Sequence, residues 1–392
     1  MNLDFIKNIK QELSNILNYW AGNTIDEKHG GFIGEIDFEE NKNDKAEKGS
    51  VMYGRILWAF SAAFPVTKNP EHLAIAVRAF EEIKTKFFNP KFGGIYWSIN
   101  ADGTPKDTKN QMYALAFVIY GLSEFYKISE NKDALDLAIL LYQSIHNHSF
   151  DKEKGGYFEA YTEDWNEIED VRLSEKDANE KKTMNTHLHI VEAFANLYQV
   201  WKNEELRQNI VHLLEIIDKY FIDKNSWHLK LFFDEHWNEK KDVISYGHDI
   251  EAAWLLQWCA EISGDENLIR KYKNYAVKMA EVTLQGIDQD GGLWYEFDPE
   301  KKELTTEKHW WVQAESWIGF VNAYQLTNDK KYLEIFEKNW NFTEKFIIDK
   351  ENGEWFWGVD KNYNKIEKDK AGFWKCPYHN ARACLEILKR LK

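Results

Sequence analysis

Two histidines stand at the start of strings that read as helices. In SYGHDIEAAWLL, Ser245 suits an N-cap position, which puts His248 in the first helical turn. Glu251 follows three residues later, shares a helix face with His248 and is expected to orient its imidazole. In WKCPYHNARACLEIL, Pro377 suits the first helical position and puts His379 in a first turn as well. The positive end of a helix disfavours imidazolium, so both rings are expected to be neutral and able to accept a proton. Two such bases on different helices make an acid/base pair. Spacing alone does not separate that reading from two ordinary capping or core histidines.

The segment KTMNTHLHIVEAF places Asn185, His189 and Glu192 on one helix face. His187 lies roughly 200° away from His189 and is expected to pack on the other side. The two cannot clamp one ion, so no metal site is expected. With neither a Gly-rich strand–turn–helix nor a Walker string, a nucleotide cofactor has no support and none is expected. Arg55 stands among apolar residues in MYGRILWAF, where a structural salt bridge and oxyanion stabilisation are equally open. Tyr113, Trp311 and Glu315 begin two further helices and join the candidate substrate-binding residues, as does Trp374; Trp310 is expected in the wall or core. Glu251, Glu315, Asp249 and Asp177 keep a glycosidase in play, since that chemistry needs two opposed carboxyl groups. The two histidines point instead to proton transfer at carbon.

Positioning these groups is the task of a repeat. Glycine pairs followed by an aromatic segment recur at Gly30-Gly31, Gly93-Gly94, Gly155-Gly156 and Gly291-Gly292, with a degenerate copy at Gly353. SWHLKLFF from Ser226 fills the one missing place, so six copies span the chain. Apolar periodicity predicts helices over 3–20, 50–67, 71–87, 108–128, 131–147, 183–202, 204–222, 245–263, 266–284, 307–326, 330–347 and 376–391. Twelve helices in pairs, joined by short β-hairpins, predict an all-α fold: an (α/α)6 barrel over residues 1–392 as one domain, against an open solenoid. If the more apolar helix of each pair forms the inner ring, the polar residues of their first two turns meet at one end of the barrel. The charged stretches 36–49 and 162–182 are expected as solvated loops at that rim.

Composition narrows the classes. Fifty basic against 65 acidic side chains leave a net charge of −15, which repels a phosphate backbone and excludes nucleic acid as a partner. No apolar run approaches the roughly 20 residues that span a bilayer, and the charged N-terminal segment is unlike a secretory signal. Three cysteines, Cys259, Cys376 and Cys384, form no paired framework, which fits a reducing cytoplasm; a monomer is expected. Of the 17 Trp, 19 Tyr and 24 Phe most are expected in the core, but many Trp stand beside Gly, Asn or charged residues, and an indole face with one polar edge suits a sugar ring.

At GRILWAFSA, KTMNTHLHIVE, SYGHDIEAAWLL, WWVQAE and WKCPYHN the sequence resembles the N-acylglucosamine 2-epimerase superfamily, and within it the cellobiose 2-epimerases, over essentially the whole chain. The resemblance implies an (α/α)6 barrel and cofactor-free inversion at C2 of the reducing-end sugar of a disaccharide such as cellobiose, lactose or mannobiose. It implies that His248 and His379 are the acid/base groups. Arg55 and His189 would then neutralise enediolate oxygens, and Glu251 would orient its histidine. Tyr113, Asn185, Asp177, Trp311 and Trp374 would line the sugar site, Trp374 stacking on the non-reducing unit. A monosaccharide epimerase or mannose isomerase of the same superfamily is the nearest alternative. An inverting glycoside hydrolase or a sugar-binding protein without catalysis lies further off.

Overall fold

The computed structural model describes residues 3–391. Its helices are α1 (Leu3–Asn23), α2 (Ser50–Thr67), α3 (Pro70–Glu82), α4 (Met112–Ser129), α5 (Lys132–Ser149) and α6 (Met184–Val200). They continue with α7 (Glu204–Ile216), α8 (Tyr246–Ser263), α9 (Glu266–Thr283), α10 (Trp310–Thr327), α11 (Lys330–Phe346) and α12 (His379–Arg390). Each corresponds to a predicted helix. π-helical turns over Ile83–Phe87 and Ile217–Phe221 complete α3 and α7 to their expected ends. α4 starts later than expected because Asn110–Gln111 pairs as strand with Ala160–Tyr161. α12 starts at His379, so Pro377 precedes the helix instead of opening it.

The even-numbered helices form the inner ring: α2 packs on α4, α4 on α6, α6 on α8, α8 on α10, α10 on α12, and α12 back on α2. Closure excludes the open solenoid. Each outer helix leans on its inner neighbour, α1 on α12 included, so α12 is held by the first pair as well as the last. The sequence logic is plain. α2 and α4 are apolar around most of their circumference and bury 13 of 18 residues each, whereas α9 buries only one stripe, six of 18. The five outer helices from α3 to α11 each start at an Asn or Asp whose side chain caps a backbone N–H. α2, α4, α8 and α10 have no side-chain cap. For α2, α4, α6 and α10 the first N–H is satisfied instead by a carbonyl of the following repeat: Ser50 by Trp97, Met112 by Glu159, Met184 by Leu231 and Trp310 by Trp357.

All six hairpins are real. Ile25 pairs with Phe32, Phe88 with Ile95, Phe150 with Tyr157, Ile222 with Leu229, Ile287 with Leu293 and Ile348 with Trp355. Each turn needs one residue of positive φ, supplied by glycine in five copies; Trp227 takes it in the fourth, at 66°. The strand before an inner helix then pairs with the next hairpin: Lys48–Gly49 with Ser98–Ile99, Lys182–Thr183 with Phe232–Phe233, Ile244–Ser245 with Glu296–Phe297, and Lys308–His309 with Gly358–Val359. Ile36 bridges Ala371, so the backbone lacing also closes the ring.

Four repeats share an ion pair between a buried lysine, on the segment leading to the inner helix, and an aspartate of the hairpin, which is buried or nearly so except for half-buried Asp288. Lys48 reaches Asp26 at 2.8 Å, Lys182 Asp151 at 2.6 Å, Lys308 Asp288 at 2.6 Å and Lys370 Asp349 at 2.7 Å. Lys48 and Lys182 lie in the charged stretches 36–49 and 162–182, which are therefore not simply solvated. In the 162–182 loop, Val171 is buried and its carbonyl accepts from the Gln111 side chain. Removing one partner leaves the other charge buried and uncompensated, at a cost of about 3–5 kcal/mol. Lys370→Met should therefore lower the urea midpoint clearly while leaving the far-UV circular dichroism of the folded state intact. An unchanged midpoint would show that backbone pairing alone holds that hairpin.

Candidate active site

The first turns of the inner helices meet at one mouth of the barrel. Their positive ends converge there, which disfavours cations on the histidines and favours an anion between them. His379 donates from Nδ1 to Glu315 Oε1 on α10 at 2.7 Å, and His189 from Nδ1 to Glu192 Oε2 at 2.8 Å. His248 Nδ1 lies 2.8 Å from Ser245 Oγ. In all three rings Nε2 has no protein partner among the described residues, yet it is not sealed off as a buried unpaired atom. Nε2 is thus the position left open for chemistry.

Desolvation, with His189 nearby, pushes the His248 pKa down to about 3; the ring keeps some access only through the cleft. His379 is held well below the ordinary histidine value by burial first, then by Arg55, Arg382, His189 and His248. Both rings are neutral at physiological pH. With a carboxylate accepting from Nδ1, His379 carries its lone pair on Nε2. Ser245 can donate or accept, so His248 can take either tautomer, which suits a group that both removes and returns a proton.

The indole of Trp311 lies between the two rings, 4.9 Å from His248 and 5.7 Å from His379 between centroids. Arg55 is buried and stacks 4.2 Å above the Phe117 ring. Its Nη2 donates to the Tyr113 hydroxyl at 2.8 Å, its Nη1 reaches the Trp374 carbonyl at 3.3 Å, and its Nε is unpaired. The structural salt bridge does not occur: no described carboxylate lies within 4 Å of it. The Tyr113 ring stands edge-on to His189 at 5.1 Å and 6.1 Å from half-buried Trp374. Asn185, one turn before His189, has a buried and unpaired Oδ1. His187 packs away from this group, bonded to the Thr183 carbonyl and the Tyr157 N–H, and Trp310 is wall, against Trp357.

Two expectations need correction. Ser245 stands at the N-cap of α8 but makes no cap bond, because its hydroxyl serves His248. Glu251 does not orient His248: its Oε1 accepts from Arg382 Nη2 at 2.6 Å, a charged donor that outcompetes a neutral ring. Arg382 itself escaped sequence reasoning. It is 1% exposed and donates to Glu192, Glu251 and Glu315, each at 2.6 Å. Its position three residues after His379, on the same helix face, was the available signal. Tyr378, also missed, donates to both oxygens of Glu192.

This cluster weakens two alternative chemistries on geometric grounds. Glu251, Glu315 and His379 gather close enough to surround a cation, but the Arg382 guanidinium already supplies the charge there. Glycoside hydrolysis needs carboxyl groups on opposite sides of a bond, about 5–9.5 Å apart. Glu251 and Glu315 instead share one guanidinium nitrogen. Burial, reinforced by Glu315, raises Glu251 to about 7. Asp249 faces outward, holding His228 Nδ1 at 2.6 Å and the Leu229 N–H. Asp177 sits in the rim loop and accepts from Ser174, away from both.

The N-acylglucosamine 2-epimerase (GlcNAc 2-epimerase) family model matches residues 31–383. A cellobiose 2-epimerase of Bacteroides fragilis is 44% identical over 97% of this chain and 98% of its own. The structure of a cellobiose 2-epimerase from Bacillus thermoamylovorans superposes with a TM-score of 0.95 at 38% identity, covering 99% of both chains. A crystal structure of D-mannose isomerase shares the fold, with a TM-score of 0.86 at 22% identity over 98% of this chain and 97% of that one. A closed ring of six helix pairs, histidines at one mouth and a match over nine-tenths of the chain agree, and the chain belongs to the N-acylglucosamine 2-epimerase family.

Proposed function

We propose that this protein inverts the configuration at C2 of the reducing-end glucose of β-1,4-linked disaccharides, converting cellobiose to glucosyl-mannose and back. The observation that carries the mechanism is the pair His248 and His379, flanking Trp311, both neutral, each with Nδ1 engaged and Nε2 open. The full-length similarity to cellobiose 2-epimerases supports the substrate class. The acidic chain has no described helix long and apolar enough to cross a membrane.

The hemiacetal opens first, exposing an aldehyde at C1. One histidine Nε2 then takes the C2 proton, and the electron pair spreads onto O1 as an enediolate. The other histidine, neutral at rest, takes up a solvent proton through the open cleft as negative charge builds on the enediolate and returns it to C2 on the opposite face; the first then releases the abstracted proton to solvent. Two bases on separate walls spare the intermediate from turning over. Arg55 and His189 stabilise the oxyanion, a contribution that removal of one donor typically reveals as about 10²–10³-fold in kcat. Arg55 is suited because no carboxylate neutralises it in advance. Asn185 offers an unpaired acceptor to a sugar hydroxyl, and Trp311 a face to the reacting ring. Tyr113 and Trp374 continue that wall outward, with Asp177 at the rim. Return of the proton to C1 instead of C2 yields a ketose, so slow isomerisation accompanies epimerisation.

In D2O, cellobiose should acquire a mannose-configured reducing end with deuterium at C2, seen by proton NMR. Free glucose would indicate hydrolysis instead. His248→Asn and His379→Asn should each abolish this exchange with helical content unchanged; substantial turnover by either variant would remove that histidine from the mechanism. Trp374→Ala should raise KM for cellobiose more than for mannose, and equal effects would refute stacking on the distal unit. The depressed histidine pKa values set the pH dependence. The base is disabled only when protonated, so the acid limb of kcat/KM should fall below the ordinary histidine value of about 6.5. A limb at or above that value would mean that burial does not keep these rings neutral.

A further inference from the structure

We infer that Arg382 is the positioning residue that sets the tautomers of His189 and His379 together, by holding the two carboxylates that receive their Nδ1 protons. This deepens the epimerase reading and rests on it for its kinetic arm only. Arg382 Nη1 donates to Glu192 Oε1, while Glu192 Oε2 accepts from His189. Arg382 Nη2 donates to Glu315 Oε1, the same oxygen that accepts from His379. One guanidinium therefore stands behind two imidazoles on different helices. Its plane is held by the Tyr378 ring at 4.1 Å and the Trp254 ring at 4.9 Å. Trp254 Nε1 occupies the other oxygen of Glu315 at 3.1 Å, so that carboxylate cannot rotate away.

The charges facing the group explain why a cation is needed. α6 contributes His189 and Glu192, α8 His248 and Glu251, and α10 Glu315. α12 adds Tyr378 and His379; from α2 Arg55 acts on His379, and from α4 Tyr120 lies within the field of Glu192 and Arg382. Three carboxylates buried together cannot all ionise without a counter-charge. Burial alone would raise Glu192, yet Arg382 and His189 hold it below its ordinary value; burial keeps Glu315 raised despite Arg382. Without Arg382, Glu315 would take a proton and donate it to His379 Nδ1. The ring would then carry its own proton on Nε2 and cease to be a base toward substrate. His189 would lose its fixed tautomer in the same way.

Arg382→Gln tests this with two readouts. In 15N-histidine NMR at neutral pH, wild-type His379 should show a protonated Nδ1, and the variant should shift that proton to Nε2. In cellobiose epimerisation, kcat should fall by about 100-fold or more, KM should stay within about threefold, and the acid limb of kcat should move up by about one pH unit or more. Loss of packing alone would lower stability and active fraction but leave tautomer and limb in place, and that result overturns the inference. If Arg382→Gln does not fold, Arg382→Lys carries the same test, because an ammonium cannot fork to three carboxylates. Its acid limb should rise by at least half a unit, and an unmoved limb overturns the inference there too. A wild-type protein inert toward cellobiose would refute the epimerase reading, while the NMR arm still decides the role of Arg382.

Discussion

Three inner helices bring Glu192, Glu251 and Glu315 to one buried point, and the Arg382 guanidinium makes that convergence possible. Like charges in a desolvated space repel strongly, and the helices carrying them would otherwise separate or their carboxylates would neutralise. The arginine comes from the last helix, so the cluster exists only once the sixth repeat has met the third, fourth and fifth. The buried lysine–aspartate pairs at the hairpins act locally, each joining a strand to the turn of its own repeat. The Arg382 cluster acts across the diameter.

The two ends of the inner helices are treated differently. At the mouth holding His248 and His379, a carbonyl of the next repeat meets the first N–H of four helices, and few side-chain caps are used. α8 uses neither device among the described residues, because the Ser245 hydroxyl turns to His248 instead of the backbone. At the other end, inner helices α2, α4, α8 and α10 stop on a left-handed residue, and the next residue is the Asn or Asp that caps the outer helix. The tight turns belong to the scaffold and the looser hairpins to the site, a division of labour common in enzymes.

Arg55 and Arg382 show how one residue type serves two ends. Arg382 faces three carboxylates through its two terminal nitrogens, which take up its charge. Arg55 is supported by a phenol, a carbonyl and aromatic faces, so its charge remains available. Burial makes that charge act at nearly full strength, since little water screens it. The same burial keeps the histidines neutral, and a neutral base beside an unneutralised cation is the arrangement that proton abstraction next to a carbonyl requires.

Much of this was legible in the sequence because it is local. Glycine-pair spacing set the repeat, apolar periodicity set the helices, and the positions of His248, His379, His189 and Arg55 in the first two turns followed from helix starts read to within a few residues. Pairings between distant residues were not legible. Glu251 sits three residues from His248 yet bonds Arg382, 131 residues away; Glu315 serves a histidine 64 residues on. Helical spacing states which groups share a face but not which partner across a barrel offers the stronger bond. Lys48 and Lys182 fall in stretches expected as solvated loops and are buried. The sequence by itself determined the elements, their order and the side chains turned inward, because these depend on periods of a few residues. Only the closed ring decided which carboxylate holds which cation, because that choice is made by desolvation among groups that the chain keeps far apart until it folds.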